Sequence, residues 1–340
     1  MNRDHCPRPN LQTRTTTSSL HDDIAPQEAT NSSIMKLIST IQLALASSVL
    51  GINLPRQSQP NIPAGTGPYK ARYTQDATLK NHTIFAPDSS PSDLKLPERL
   101  IHVTKHTNKV IANSPVTCST VFGTFLVEVA SHGILVIADG DPDGPSNPIG
   151  PDYTLYPSPQ GLVEAAAWIV KNAGTGKYAN VDATRIAAAG HSCGGIQAYL
   201  ASSQTDGIKY IGIFNSGVRT DSIVTKPQLE IVNTMTKPIF YFLGSPTDIA
   251  YSNGERDYTN IPASTPKWKG NFPVGHSGTF FQPHAAQFGV AASRWLEWVL
   301  RGNETSAKYF TDSSNVTGTA QGDGWDVVHA KLEDIKVAPI

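Results

Sequence analysis

The feature that most constrains this chain is a glycine-rich turn, Gly190–Gly195, which reads Gly-His-Ser-Cys-Gly-Gly. Small residues over Arg185–Ala189 predict a strand before the turn, and Ile196–Ser203 is typical of a helix after it. A serine on such a sharp strand-to-helix turn needs neighbours without side chains, which the glycines two positions before and after Ser192 provide. The pattern therefore predicts a serine nucleophile, Ser192, at the end of a strand.

Strand and helix signals alternate along residues 60–340. Continuous apolar runs such as Pro238–Leu243 predict buried strands, and Ile134–Ala138 has the pattern of a parallel one. The alternation predicts an α/β fold with a mostly parallel central sheet and helices on both faces. No linker or repeat divides residues 60–340, so we expect one domain there. The other predicted elements are strands at Ala71–Tyr73, His82–Ala86 and Tyr210–Phe214, and helices at Thr124–Ser131, after Ser158, and at Ala285–Arg301, the last helix.

The composition limits the classes of partner. Charged residues make up 16% of the 340 residues, the net charge is −1, and no run of Lys or Arg is present. Nucleic acids and anionic membranes attract basic patches, so neither is an expected partner. The hydrophobic content of 39% is sufficient for a full core. We expect a monomer.

The N-terminal residues predict secretion. Residues 1–34 are polar and lack a hydrophobic period, which is typical of a disordered leader. Residues 35–51 have the layout of a signal peptide, because Met35-Lys36 precedes the apolar stretch Leu37–Leu45 and then small residues. Polar residues interrupt this span too often for a transmembrane helix. Such signals begin at the initiator, so we expect translation from Met35 without the leader; the alternative is a disordered tail before a buried helix.

Three glycosylation sequons agree with secretion. Asn81, Asn303 and Asn315 each stand two residues before a threonine. Such triplets are common by chance, so each one is a weak signal alone. Together with the signal segment they predict an extracellular glycoprotein.

A serine hydroxyl needs a general base, and that base needs an acid to orient it. In an α/β-hydrolase fold both follow the serine, in loops after later strands. Asp248 lies in the turn directly after the predicted strand Pro238–Leu243, and it is therefore the favoured acid. Asp257 is its rival, and Asp221 is a more distant alternative. A turn-capping aspartate is the structural alternative for Asp248.

The favoured base is His276, which lies between small residues in Val274–Gly278, just before a predicted helix. A histidine that must reach the serine from a loop needs such neighbours. His284 is the rival, and its place at the start of that helix favours a surface or capping role. His191 is expected to point its side chain away from the adjacent Ser192.

Several segments between residues 67 and 340 carry a resemblance to a known family. They are Gly67–Tyr69, Phe125–Ile137, Tyr178–Gly195, Ile213–Gly217, Lys237–Tyr258, Pro273–Thr279 and Trp295–Gly302. This part of the chain resembles a family of secreted fungal α/β-hydrolases related to dienelactone hydrolases and cutinase-like polyester hydrolases. The resemblance implies the α/β-hydrolase fold, the triad Ser192, Asp248 and His276, and neither a metal nor an organic cofactor. Dienelactone hydrolases proper use a cysteine nucleophile, whereas this chain has Ser192.

Residues and resemblance together predict a secreted serine hydrolase that cleaves a carboxylic ester through an acyl-enzyme. The expected partner is a small-molecule or polymeric ester, and an amide or a lactone would also fit. Two alternatives stay open. One is a catalytically inactive α/β-hydrolase fold that acts as a binding protein, and the other is a peptidase on the same fold.

The oxyanion of such a reaction needs N–H donors. One donor is expected from Cys193, and the resemblance implies a second from a glycine-rich turn before Cys118. Residues 96–117 contain no glycine, so the second donor is expected from Ser119 and its neighbours. Because Cys118 and Cys193 would flank one oxygen in an oxidising compartment, we predict a disulfide between them. The alternative is two buried free thiols.

Two other patterns are weaker. The aspartates within Asp139–Asp143 have the spacing of a metal cluster, but the Pro and Gly among them favour an ordinary loop. No metal site is therefore predicted. Tyr251, Phe280 and Phe281 lie near the predicted acid and base, and they fit either an acyl pocket or core packing.

Overall fold

All residues that the structure describes lie between Pro60 and Ile340. Cys118, Ser119 and Asp221 lie outside the described residues, as do the predicted leader and signal peptide. The leader, the signal peptide, the Ser119 donor and the Asp221 alternative therefore stay predictions. The computed structural model of the chain describes residues 62–88, 96–97, 122–142, 158–220 and 226–340.

The strands of the described residues fall into three sheets. They are β1 (Ala71–Asp76), β2 (Leu79–Pro87), β3 (Leu96–Pro97), β4 (Val136–Asp139), β5 (Val181–Asp182), β6 (Ile186–His191), β7 (Ile208–Phe214), β8 (Ile239–Leu243), β9 (Lys267–Asn271) and β10 (Asp326–Ala330). Strands β6, β7, β8 and β9 are neighbours that run parallel, and β10 joins β9 antiparallel at the edge. A second sheet has the order β1-β2-β4, and β3 pairs with β5.

The second sheet, β1-β2-β4, contains one wrong prediction. β4 runs antiparallel to β2, with Ile137 opposite Ile84, whereas Ile134–Ala138 was predicted to be parallel. An apolar run indicates that both faces of a strand are buried, but it carries no information on direction. Direction depends on the neighbour, which here is the second strand of the β1–β2 hairpin.

The helices of the described residues surround these sheets. They are α1 (Gly123–Ser131), α2 (Gln160–Asn172), α3 (Cys193–Gln204), α4 (Lys226–Asn233), α5 (Tyr251–Asn260), α6 (Ala286–Arg301) and α7 (Glu304–Thr311), with short 3₁₀ turns at Gly176–Tyr178, Pro283–Ala285 and Leu332–Asp334. In the part of the chain that the structure describes, no helix has the length and apolar character needed to cross a membrane.

Hydrophobic cores lie on both faces of the central sheet. Side chains alternate along a strand, so Ala187 and Ala189 of β6 pack with residues of α1, α6 and α7. Ile186 and Ala188 face the other way and pack with residues of α2 and α3. The class is therefore α/β, with a mostly parallel five-stranded sheet between helices.

The C-terminal part holds one more helix than the sequence predicts. α6 ends at Gly302, whose φ is 66°, and α7 begins almost at once. Asn303 is the N-cap of α7, because its side-chain oxygen accepts a hydrogen bond from the Ser306 N–H at 3.0 Å. The sequence predicts only a sequon at Asn303, whereas in the structure the same side chain also caps α7.

Candidate active site

Ser192 lies on a strained turn between β6 and α3. Its φ and ψ are 56° and −124°, a conformation that residues with side chains rarely adopt. A Cβ atom on Gly190 would lie 2.1 Å from the backbone of Gly194, so a side chain at that position would block the turn. The strand–turn–helix arrangement predicted around Ser192 is therefore present, and it puts the serine at the carboxyl end of β6, a strand of the mostly parallel sheet.

His276 joins the serine to a buried carboxylate. Its Nε2 lies 3.0 Å from Ser192 Oγ, and its Nδ1 lies 2.6 Å from Asp248 Oδ1. A carboxylate can only accept, so Nδ1 carries a proton and donates it to Asp248, which leaves Nε2 free to accept from the serine. The structure thus brings the three predicted residues together in the order that proton transfer requires.

Asp248 lies between β8 and α5, and it is only 3% exposed. Besides His276, three groups donate to its carboxylate: Ala250 N–H to Oδ1 at 2.8 Å, and Asn215 Nδ2 and Gly244 N–H to Oδ2 at 2.9 and 3.3 Å. Burial favours the neutral acid, but these hydrogen bonds outweigh burial and lower the pKa of Asp248 below its ordinary value. Asp248 is therefore an anion at neutral pH.

Asp257, the rival acid, lies elsewhere. It is fully buried within α5, where it accepts from Val218 N–H at 2.6 Å and from Arg256 at 2.8 Å. Burial raises the pKa of Asp257 to about 6, although both of these donors favour its anion. Its carboxylate holds the loop after β7 and does not bond to His276.

The rival histidines also have other partners. The side chain of His284 is 43% exposed, and its Nδ1 lies 3.4 Å from a carboxylate oxygen of Glu128. His191 lies beside the three residues, and among the described contacts it makes no hydrogen bond to Ser192. Its Nε2 instead donates to the main-chain oxygen of His276 at 2.8 Å, and the two rings lie 4.9 Å apart.

A cavity of about 380 Å³ opens in front of the serine. Phe280 is 1% exposed and packs on Phe125, so it is a core residue rather than part of an acyl pocket. Phe281 is 58% exposed. Neither Phe281 nor Tyr251 is among the residues that line this cavity. Residues along the cavity are mixed in polarity: Ser192, Cys193, Ile196, Ser216, Gly217, Arg219, Thr220, Ile249, Ala250, Asn253 and His276.

Cys193, the predicted oxyanion donor, is the first residue of α3. The first N–H groups of a helix have no acceptor within it and are available to an anion. The predicted disulfide between Cys118 and Cys193 is wrong for this structure, because the thiol of Cys193 is free. Burial raises the pKa of this thiol, although the charge of Arg219 opposes the increase. The thiol is therefore neutral near pH 7. Its predicted disulfide partner, Cys118, and the second predicted donor, Ser119, lie outside the described residues.

The sequon asparagines are all on the surface. Asn81, Asn303 and Asn315 are exposed, so each amide is accessible for a glycan. At Asn303 the capping oxygen is Oδ1, whereas a glycan is attached through the nitrogen, so cap and glycan are compatible. Within the described ranges, no group of three or more His, Cys, Asp or Glu side chains is arranged to hold a metal ion.

Two residues of the site were not predicted from the sequence. Asn215 bonds to Asp248, and His191 bonds to the backbone of His276. The available signal was the position of each one at the end of a buried strand, β6 or β7, since parallel strands end at a common edge. Position alone could not indicate which neighbour the side chain would contact.

Comparison of the chain with protein-family models finds no match, and a search among curated proteins finds none either.

Proposed function

We propose that this chain is a serine hydrolase of the α/β-hydrolase fold that cleaves carboxylic esters. The observation that carries the proposal is the hydrogen-bonded series Ser192–His276–Asp248, with the serine on a strained turn at the end of a parallel strand. The chain order serine, aspartate, histidine is the order of that fold. A structural role for the serine would not need φ of 56° beside an imidazole.

In the proposed reaction Ser192 Oγ attacks the ester carbonyl carbon while His276 Nε2 takes the hydroxyl proton. Asp248 holds the imidazole in the correct tautomer and stabilises the imidazolium that forms. The Cys193 N–H donates to the oxyanion of the tetrahedral intermediate. His276 then gives its proton to the leaving alcohol, which departs and leaves an acyl-serine. Water attacks this ester with His276 as base, and the acid product is released from a regenerated serine.

The cavity supports a substrate of modest size. A volume of about 380 Å³ lies at the lower end of the range for small-molecule sites. It would hold a short acyl chain or a single unit of a longer polymer near Ser192. His276 Nε2 lies 3.0 Å from Ser192 Oγ, and the adjacent thiol of Cys193 is neutral near pH 7, so Ser192 is the nucleophile of the proposed reaction.

A fluorophosphonate probe tests the proposal, since it reacts only with an activated serine. The wild-type protein should be labelled, and Ser192→Ala should abolish labelling and lower the turnover of p-nitrophenyl esters about 10⁴-fold or more. Ser202→Ala is the matched control, because Ser202 is a buried serine of α3 whose hydroxyl donates to the Tyr199 carbonyl oxygen. Absence of labelling in folded wild-type protein would favour a binding protein, and a preference for anilides would favour a peptidase.

We also propose that the protein is secreted. Exposure of Asn81, Asn303 and Asn315 supports glycosylation. A chain expressed from Met35 in a fungal host should reach the medium, lose residues up to a point between Ala46 and Gly51, and lose mass after enzymatic removal of N-glycans. Retention in the cytosol with an intact N-terminus would contradict this proposal.

A further inference from the structure

Asn215 occupies an unusual position beside the proposed triad. It directly follows β7, it is completely buried, and its φ is 44°. Positive φ is uncommon for a residue with a side chain, although asparagine tolerates it better than most. A buried amide is also costly unless it is hydrogen-bonded. These two costs indicate that the side chain has a specific task.

The amide nitrogen of Asn215 bridges two segments that are far apart in sequence. Nδ2 donates to Asp248 Oδ2 at 2.9 Å and to the main-chain oxygen of Gly275 at 3.0 Å. Asp248 is the proposed acid, and Gly275 immediately precedes the proposed base, His276. One amide group, with two N–H donors, therefore links the acid to the loop that carries the base.

Gly244 allows this close approach. A Cβ atom on Gly244 would lie 2.1 Å from the Gly275 oxygen and 2.7 Å from Asn215 Nδ2. The Gly275 N–H also donates to the Gly244 oxygen at 2.9 Å. The ends of β7 and β8 and the loop after β9 thus meet at one point, with Asn215 at its centre.

We propose that Asn215 is a positioning residue for the hydrolysis. It fixes the Asp248 carboxylate and holds the loop that carries His276 next to it. The inference rests on the proposed function, and it goes beyond a serine, histidine and aspartate acting alone. One N–H of the amide stabilises the anionic form of Asp248. The other N–H prevents the histidine loop from moving away from the carboxylate.

A simpler explanation for Asn215 is that asparagine tolerates the positive φ that the backbone has at this position. The variant Asn215→Gly separates the two roles, because glycine adopts positive φ without cost but has no amide to donate. We expect kcat to fall about 10- to 100-fold, the size of one hydrogen bond to a charged group, with KM almost unchanged. Without this donor the Asp248 carboxylate holds the proton on the imidazole more strongly, so the acid limb of the kcat/KM profile, which reports protonation of the base, should move to higher pH.

Asn271→Gly is the matched control. Asn271 is also a buried asparagine at the end of a central strand, and its amide donates to a carboxylate, Glu255 Oε1, at 3.0 Å. It does not contact the triad, so its loss should lower stability but leave kcat and the pH profile unchanged. Wild-type kcat and an unshifted acid limb in Asn215→Gly would overturn the inference, as would equal effects of both variants.

A spectroscopic measurement without substrate keeps this test separate from the proposed function. The proton between His276 Nδ1 and Asp248 should give a far-downfield ¹H NMR signal, assigned by its loss in Asp248→Asn. In Asn215→Gly the signal should shift or broaden, whereas in Asn271→Gly it should stay. An unperturbed signal in folded Asn215→Gly contradicts the positioning role even if no ester is hydrolysed. Absence of labelling in wild-type protein contradicts only the proposed function.

Discussion

Asp248 and Asp257 are two buried aspartates, one just before α5 and one within it, and they differ in what surrounds them. Four donors, two of them backbone N–H groups, surround the carboxylate of Asp248. Asp257 has a neighbouring guanidinium, but it lies deeper and beside the hydroxyl of Tyr199. The pKa of Asp248 is lowered, whereas burial raises that of Asp257 to about 6.

The comparison teaches that burial does not decide the charge of a carboxyl group. Desolvation acts on both residues in the same direction, and hydrogen bonds to the anion exceed it only at Asp248. An acid that orients an imidazole must stay ionised over the whole range in which the enzyme works. Asp248 meets this requirement, whereas Asp257 gains a proton as the pH falls through about 6.

The largest expected difference between the two aspartates is in turnover. Asp248→Asn should lower kcat about 10⁴-fold, because an amide cannot hold His276 in the correct tautomer. Asp257→Asn should lower kcat less than about fivefold, since its contacts are to the loop after β7. Initial rates with p-nitrophenyl esters measure both. Reversed magnitudes would mean that Asp257 is the functional acid.

The second difference concerns stability. The pKa of Asp257 is about 6 in the folded protein against 3.8 ordinarily, so the folded state binds the proton more tightly. Its contribution is therefore most favourable below pH 3.8 and is lost as the pH rises to about 6, by about 3 kcal/mol. In denaturant unfolding, the free energy of unfolding of wild-type protein minus that of Asp257→Asn should fall by this amount across the window, because all other carboxyl groups contribute equally to both proteins. If the free energy of unfolding depended on pH equally in the two proteins, burial would not raise the pKa of Asp257 as described.

His132 extends the same rule to a base. It donates to Glu297 at 3.0 Å and to Glu128 at 3.2 Å. Burial opposes its charge, but the two carboxylates outweigh burial and raise the pKa of His132 to about 9 from 6.5. The stabilisation is complete below pH 6.5 and is lost as the pH rises through about 9, by about 2 kcal/mol for this partly exposed ring. His132→Gln should remove this alkaline loss in urea unfolding, and an unchanged loss would refute it.

The smallest expected effect tests one hydroxyl near Asp257. Tyr199 OH lies 3.3 Å from Asp257 Oδ2 and 2.6 Å from Tyr241 OH. Tyr199→Phe removes a donor to the anion, so it should cost about 1 kcal/mol and move the Asp257 transition above pH 6. Tyr241→Phe, which keeps the donor, should cost a similar amount with a smaller shift. A transition that moves to lower pH in Tyr199→Phe would contradict this account.

Local chemistry made part of the site predictable. The turn around Ser192 requires residues without side chains close to the serine. The six consecutive residues Gly190–Gly195 show this requirement directly in the sequence. Asp248 and His276 could be ranked because loops after strands of a parallel sheet converge at one edge. Their contact distances agree with that ranking.

Features that depend on distant neighbours were not predictable in this way. The direction of β4 is set by its pairing with β2, and no residue within β4 encodes it. Asn215 and His191 act on atoms at least 33 positions away. The pKa difference between Asp248 and Asp257 likewise results from groups that folding brings together.

The separation of the site residues along the chain has a consequence for refolding. Ser192 and His276 are 84 positions apart, whereas Asp248 and His276 are 28 apart. Closing the longer loop costs more entropy, and contacts of high sequence separation slow folding. Parallel pairing of β6, β7, β8 and β9 must therefore be complete before the serine meets its base. Reactivity with a fluorophosphonate should return in step with the last strand to dock, behind the recovery of helical circular dichroism.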